Sequence, residues 1–128
     1  MSGNTIGDCA LQKVGCPYKY GAAGPSSFDC SGLVQWCHTQ AGISVPRTAS
    51  AQAASSSGTK LSSWSEFKKG DVIFFDTEGG GKVTHSAISL GGDVFVHAPK
   101  PGENVKQVTA NEYYWKKSNV FKGGRRFW

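Results

Sequence analysis

The stretch 24–37, GPSSFDCSGLVQWC, decides how the rest of the chain is read. Small loop residues run up to Asp29, a good helix N-cap, and a cysteine follows at once. From there Cys30, Leu33, Val34, Cys37 and Ala41 recur at i, i+3, i+4, i+7 and i+11, which is one face of a helix. Gly42 supplies its C-terminal stop. The thiol of Cys30 therefore belongs to the first helical turn, where unpaired N–H groups and partial positive charge favour a thiolate. The same N–H groups can receive the oxyanion formed when a carbonyl is attacked. The competing reading is a buried apolar cysteine, since Cys30 also lies on the apolar stripe.

Working outward, a first helix is expected from Asn4 or Thr5, with Ile6, Cys9, Ala10, Lys13 and Val14 at helical spacing and Gly15 and Pro17 ending it. Thr48 can cap a short third helix ending at Gly58. Beyond it the period changes to that of strands: Val72 to Phe75, Val83 to Leu90 and Val94 to Ala98, with further strands at VKQVT and NVFKGGRRF and a helical turn at NEYYWKK. Helices first and antiparallel strands second predict an α+β domain.

A nucleophile needs a base. Of three histidines, His38 lies about 12 Å along the helix axis from Cys30 and reads as a surface residue. If the turn is 91–93, Leu90 faces Val94 and Ala87 faces His97, so His85 and His97 become diagonal neighbours on one sheet face. One ring can take the thiol proton while the other orients it. A one-residue slip would separate them.

The chain has 128 residues, 17 of them glycine, and a net charge of +5. That length suits one domain with its own core, and no apolar run is long enough to span a bilayer. The N-terminus shows no basic-then-apolar leader, which leaves its export open. Lys116, Lys117, Lys122, Arg125 and Arg126 concentrate near the end among Tyr113, Tyr114, Trp115, Phe127 and Trp128. Such a segment can bind nucleic acid or an anionic wall polymer, or form a strand with one charged face. No nucleic-acid motif favours the first. The Cys9, Cys16, Cys30, Cys37 spacing is not that of a zinc site. The preferred state is four thiols, with Cys30 reactive.

The segments GCPYKYGAAGPSSFDCSGLVQW, PRTASAQ, KKGDVIFF and THSAISLGGDVFVHAP, in that order, resemble the NlpC-type papain-like cysteine peptidases, which are peptidoglycan endopeptidases. The resemblance runs from about Ile6 to Pro99. It implies a papain-like α+β fold in which N-terminal helices pack on an antiparallel sheet carrying the histidines. It implies one catalytic domain over residues 1–128, with no added wall-binding module. Cys30 would be the nucleophile, His85 the general base and His97 the residue that orients it. Tyr18 would stand beside the nucleophile, and Asp29 and Ser31 would contact a free amino terminus of the substrate. Arg47 reads as structural, with Gln52 lining the cleft.

The implied reaction is hydrolysis of the D-γ-glutamyl–diamino acid bond in peptidoglycan stem peptides through an acyl-enzyme. No metal or cofactor is expected. The implied partners are peptidoglycan or muropeptides, with no nucleic acid, no membrane span and a monomeric state. The expected place of action is extracellular or a digestive compartment, on bacterial cell wall. Alternatives are a related thiol amidase or acyltransferase, or a non-catalytic wall-binding protein. Two departures are mild: YGAAGP stands where a double glycine is more usual, and Ser86 follows His85 where an apolar residue is more common.

Overall fold

The computed structural model describes residues 2–128. Three helices come first: α1 (Ser2–Gln12), α2 (Cys30–Gln40) and α3 (Ala49–Ala54). Six strands follow: β1 (Thr59–Leu61), β2 (Val72–Phe75), β3 (His85–Gly91), β4 (Val94–His97), β5 (Lys106–Thr109) and β6 (Phe121–Arg126), with a 3-10 turn at Trp64–Glu66. They form one antiparallel sheet in the order β1-β6-β2-β3-β4-β5. The expected α+β class and element order hold. The short edge strand β1 and the 3-10 turn were not expected, because TKL is too brief to carry a period.

Alternation along β2–β4 divides the core in two. Val72, Phe74, Ile88, Val96 and Ala98 face the helices and pack against Ile6, Ala10, Leu33, Val34 and Cys37. Ile73, Phe75, Ala87 and Phe95 face the other way and are covered by Phe67, Trp64, Trp115 and Phe121. Each fully buried Leu, Val or Phe contributes about 1.5–3 kcal/mol, so α2 is held on β3 mainly by this packing.

Asp29 caps α2 with its side chain on the Gly32 N–H, and Thr48 caps α3 on the Ala51 N–H. Gly42 leaves α2 at φ 77°, where a side chain would be strained. Ile88 faces Val96 and Ser89 faces Phe95, and the same register continued sets Ala87 opposite His97, as the sequence predicts. The turn itself differs: Gly91, not Leu90, faces Val94, and the register shift absorbs the extra residue as a bulge.

His38 is a correction. It is fully buried, not a surface residue. The C-terminal Phe127 lies edge-on against its ring at 5.5 Å, and a residue 89 positions away could not be foreseen from helical spacing. The basic C-terminal segment is also largely structural. Arg126 grips the buried Asp71 with two bonds of 2.8 Å, Arg125 donates to the Ser57 carbonyl, and Lys116 pairs with Asp93 over the Trp64 ring.

Candidate active site

The first turn of α2 is clamped from three sides. Asp29 Oδ1 accepts the Gly32 N–H at 2.7 Å and Oδ2 accepts the Gly21 N–H at 3.1 Å. Arg47 lies across the same carboxylate, Nη1 to Oδ1 at 3.0 Å and Nη2 to Oδ2 at 2.9 Å, and Nη1 also reaches Ser31 Oγ at 3.0 Å. Such a two-pronged pair fixes direction as well as distance. The tyrosine loop is tied to the same point by the Asp29 N–H, which donates to the Ala22 carbonyl at 2.8 Å. Gly32 is required there: a Cβ would lie 2.1 Å from that carbonyl oxygen. Gln52 does not line the cleft. It is buried, and its amide donates to the carbonyls of Ser31 and Pro46, bracing the helix start from behind.

Electrostatics at Cys30 differ from the expectation that helix position alone yields a thiolate. Burial pushes the thiol up, and the neighbouring Asp29 charge adds to that. The backbone N–H groups of Ser86 and Ser31 and the Ser31 hydroxyl pull the other way, but burial dominates. The resting sulfur keeps its proton.

α2, which Cys30 opens, packs against β3. His85 opens β3 and His97 closes β4, and both are buried. His85 Nε2 and His97 Nδ1 are 2.8 Å apart, with the rings nearly perpendicular at 83°. The two expected histidines are therefore joined. Burial lowers the pKa of His85 to about 4 and that of His97 to about 3, so both are neutral near pH 7. One proton is shared across the contact, which leaves Nδ1 as the other nitrogen of the His85 ring. If Nδ1 accepts, Nε2–H of His85 donates to His97 Nδ1, and His97 carries its own hydrogen on Nε2, a buried atom with no protein partner.

Trp115 packs over both rings, 5.4 Å from His97 and 6.4 Å from His85. The sequence offered no role for it beyond an aromatic cluster.

Two cavities flank this line. One, of about 580 Å³, is lined by Tyr18, Asp29, Cys30, Ser31, Arg47 and Glu78 among others. The other, of about 590 Å³, is lined by His85, His97, Lys100, Lys106, Tyr114 and Trp115 among others. The cysteine and the histidines thus line different cavities. All four sequence-predicted residues on the cysteine side line the first cavity. Arg47 was read as structural, yet it also lines this cavity; a lone arginine between Pro46 and Thr48 gives no sign of a carboxylate 18 residues back. Tyr18 keeps its phenol proton, because burial first, and then the neighbouring acidic groups Cys30 and Asp29, raise its pKa. Among the described residues no group of three or more His, Cys, Asp or Glu is placed to hold a metal ion.

The sequence profile of the NlpC/P60 family matches residues 15–123. The chain belongs to the NlpC/P60 family. A probable endopeptidase of Corynebacterium glutamicum is 42% identical over 97 residues, covering 76% of this chain and 43% of that protein. Murein DD-endopeptidase MepH of Escherichia coli is 34% identical over 118 residues, 91% of this chain and 42% of that protein. Gamma-D-glutamyl-L-lysine dipeptidyl-peptidase of Bacillus subtilis is 34% identical over 105 residues, 81% of this chain and 34% of that protein. The chain thus spans less than half the length of these curated relatives. Among solved structures, NlpC2 from Trichomonas vaginalis superposes with a TM-score of 0.85 at 30% identity, over 99% of this chain and 47% of that one. The papain-like α+β expectation matches these NlpC/P60 structures.

Proposed function

We propose that this NlpC/P60 chain is a cysteine endopeptidase that hydrolyses peptidoglycan stem peptides at the D-γ-glutamyl–diamino acid bond. The observation that carries this reading is the hydrogen-bonded His85–His97 pair on the sheet against which α2, opening at Cys30, packs. Among relatives of equal identity, one is named for a DD bond and one for a γ-D-glutamyl bond. The choice of the second rests on the charge of the cysteine-side cavity. Asp29 and Glu78 stand against Arg47 alone, a net negative lining that suits a free ammonium at the start of a stem.

In this reading the histidine pair serves as base and orienter for the thiol. His85 Nδ1 takes the thiol proton as sulfur attacks the carbonyl carbon. The His85 Nε2–H bond to His97 holds the ring and steadies the imidazolium that forms. The charge that develops on the carbonyl oxygen meets N–H groups at the start of α2 and the Tyr18 hydroxyl, which is still protonated. His85 returns its proton to the departing amine, leaving an acyl-enzyme on Cys30. Water attacks that thioester with His85 again as base. We read residues 1–128 as a single catalytic domain acting as a monomer on bacterial cell wall. No helix of the described residues is long and apolar enough to cross a membrane.

Incubating the protein with defined stem peptides and weighing the products tests the bond. Release of a fragment ending in D-γ-glutamate supports the reading. Cleavage only at a DD bond, or cleavage of no stem by folded, reduced protein, refutes it.

A further inference from the structure

The charge of the two cavities has opposite sign. On the cysteine side Asp29 and Glu78 outnumber Arg47. On the histidine side Lys100 and Lys106 share the single carboxylate of Glu103. Lys100 Nζ stands 3.4 Å from Glu103, while Lys106 pairs with it closely. One carboxylate cannot neutralise two ammonium groups, so this cavity carries a net positive charge. Lys100 is largely solvent-exposed and its longer contact with Glu103 leaves it able to turn toward a ligand, while Lys106 is about half exposed.

Chemistry assigns the two sides. In acyl transfer the nucleophile keeps the acyl half of the substrate, and the general acid protonates the departing amine. The histidine that supplies the proton opens into the second cavity, so the departing half leaves through it. Lys106 is paired with His97 across the β4–β5 ladder. Directly opposed residues keep their Cβ atoms about 4.5–5.5 Å apart, which sets the lysine beside the ring. The flat faces of Trp115 and Tyr114 close the cavity wall.

We propose that the cavity beside His97 is the subsite for the departing half of the substrate, and that Lys100 and Lys106 select a departing residue bearing a carboxylate. The assignment rests on the peptidase reading of the same site and adds its substrate preference. The lysine charge also has a second consequence. Lys106 disfavours a proton on His97, and a carboxylate bound against Lys106 cancels that effect when the pair must hold a proton. The carboxylate has two sources: the second carboxyl of a diamino dicarboxylic acid, or the C-terminus of a stem that ends at that residue.

The experiment compares synthetic tripeptide stems ending in a diamino dicarboxylic acid: one with only the side-chain carboxyl free, one with only the C-terminal carboxyl free, and one with both as amides. Initial rates below saturation give kcat/KM for each. The wild type should cut at least one free-carboxylate stem roughly fivefold faster than the doubly amidated one, the size of a partly exposed ion pair. The arm that shows the preference names the source. Lys100→Met with Lys106→Met should bring the ratio to about one, and Lys106→Glu should invert it. The ratio between substrates cancels any effect of the substitutions on folding. Equal rates on all three stems in the wild type, or an unchanged ratio in the double variant, overturn the subsite while cleavage itself upholds the peptidase. Cleavage of none of the stems overturns the peptidase reading and the subsite with it.

Discussion

Acidification from pH 7 to pH 5 should strip the protein of about 6 kcal/mol of stability. The cause is three histidines buried without charge. His38 lies under Phe127 with its Nδ1–H on the Val34 carbonyl at 2.7 Å and its Nε2 unpartnered, and burial lowers its pKa to about 4. His85 falls to about 4 and His97 to about 3 for the same reason. In the unfolded chain each returns to about 6.5. Folded values below unfolded values mean that the unfolded state binds more protons between them. The stability is fully present above about pH 6.5 and is lost as pH falls toward 4 and 3. One pKa unit is worth about 1.4 kcal/mol, so at pH 5 each histidine costs about 2 kcal/mol. Domains of this size hold only about 5–15 kcal/mol in all, so a loss of this size is a large share of the total. The assay is urea unfolding at pH 7, 6 and 5. At roughly 2 kcal/mol per molar, the midpoint should fall by about 3 M over that range. His38→Gln keeps a donor for Val34 and removes one titration, so its midpoint should fall by about a third less. A midpoint that stays level from pH 7 to pH 5 would refute the reasoning.

Three further outcomes follow from the clamp around Cys30. Gly32→Ala drives a Cβ to 2.1 Å from the Ala22 oxygen; overpacking of this kind costs about 1–3 kcal/mol and should lower the melting temperature by roughly 5–10 °C along with kcat. Ser86→Ala should do the reverse for stability: the Ser86 hydroxyl is fully buried without a partner, so its removal should raise the unfolding free energy by about 1 kcal/mol and leave kcat unchanged. Arg47→Met removes both prongs from Asp29, which keeps its N–H partners; unfolding in urea should shift by about 1 kcal/mol or less, and because the cavity loses its one cation, kcat/KM on stems with a free amino terminus should rise relative to stems with a blocked one.

The elements that carry a strong local signal were legible in the sequence. Asp29 before Cys30, with apolar residues at helical spacing behind them, gave α2 and the place of the thiol. Alternation around residues 91–93 gave the register that joins His85 to His97, and the bulge at Gly91 did not disturb it. What stayed hidden was set by distant chain. Burial of Cys30 reverses the thiolate expected from helix position, and burial is set by chain far from the helix. His38 is in the core because Phe127 returns to cover it. Arg47, Trp115 and the two cavity lysines owe their roles to neighbours in space, and no spacing rule connects Trp115 to residues 85 and 97. The basic run near the C-terminus illustrates the same limit: counted as charge it suggests a polyanion, yet Arg126 is spent on buried Asp71 and Arg125 on the Ser57 carbonyl.

The central claim is that Cys30, and no other of the four thiols, attacks the stem peptide. The most direct test is the cleavage rate of a defined stem by Cys30→Ala beside the wild type, with urea unfolding of both run in parallel. The account predicts no product from a variant whose unfolding midpoint is unchanged. Cleavage at the wild-type rate by folded Cys30→Ala protein would contradict it.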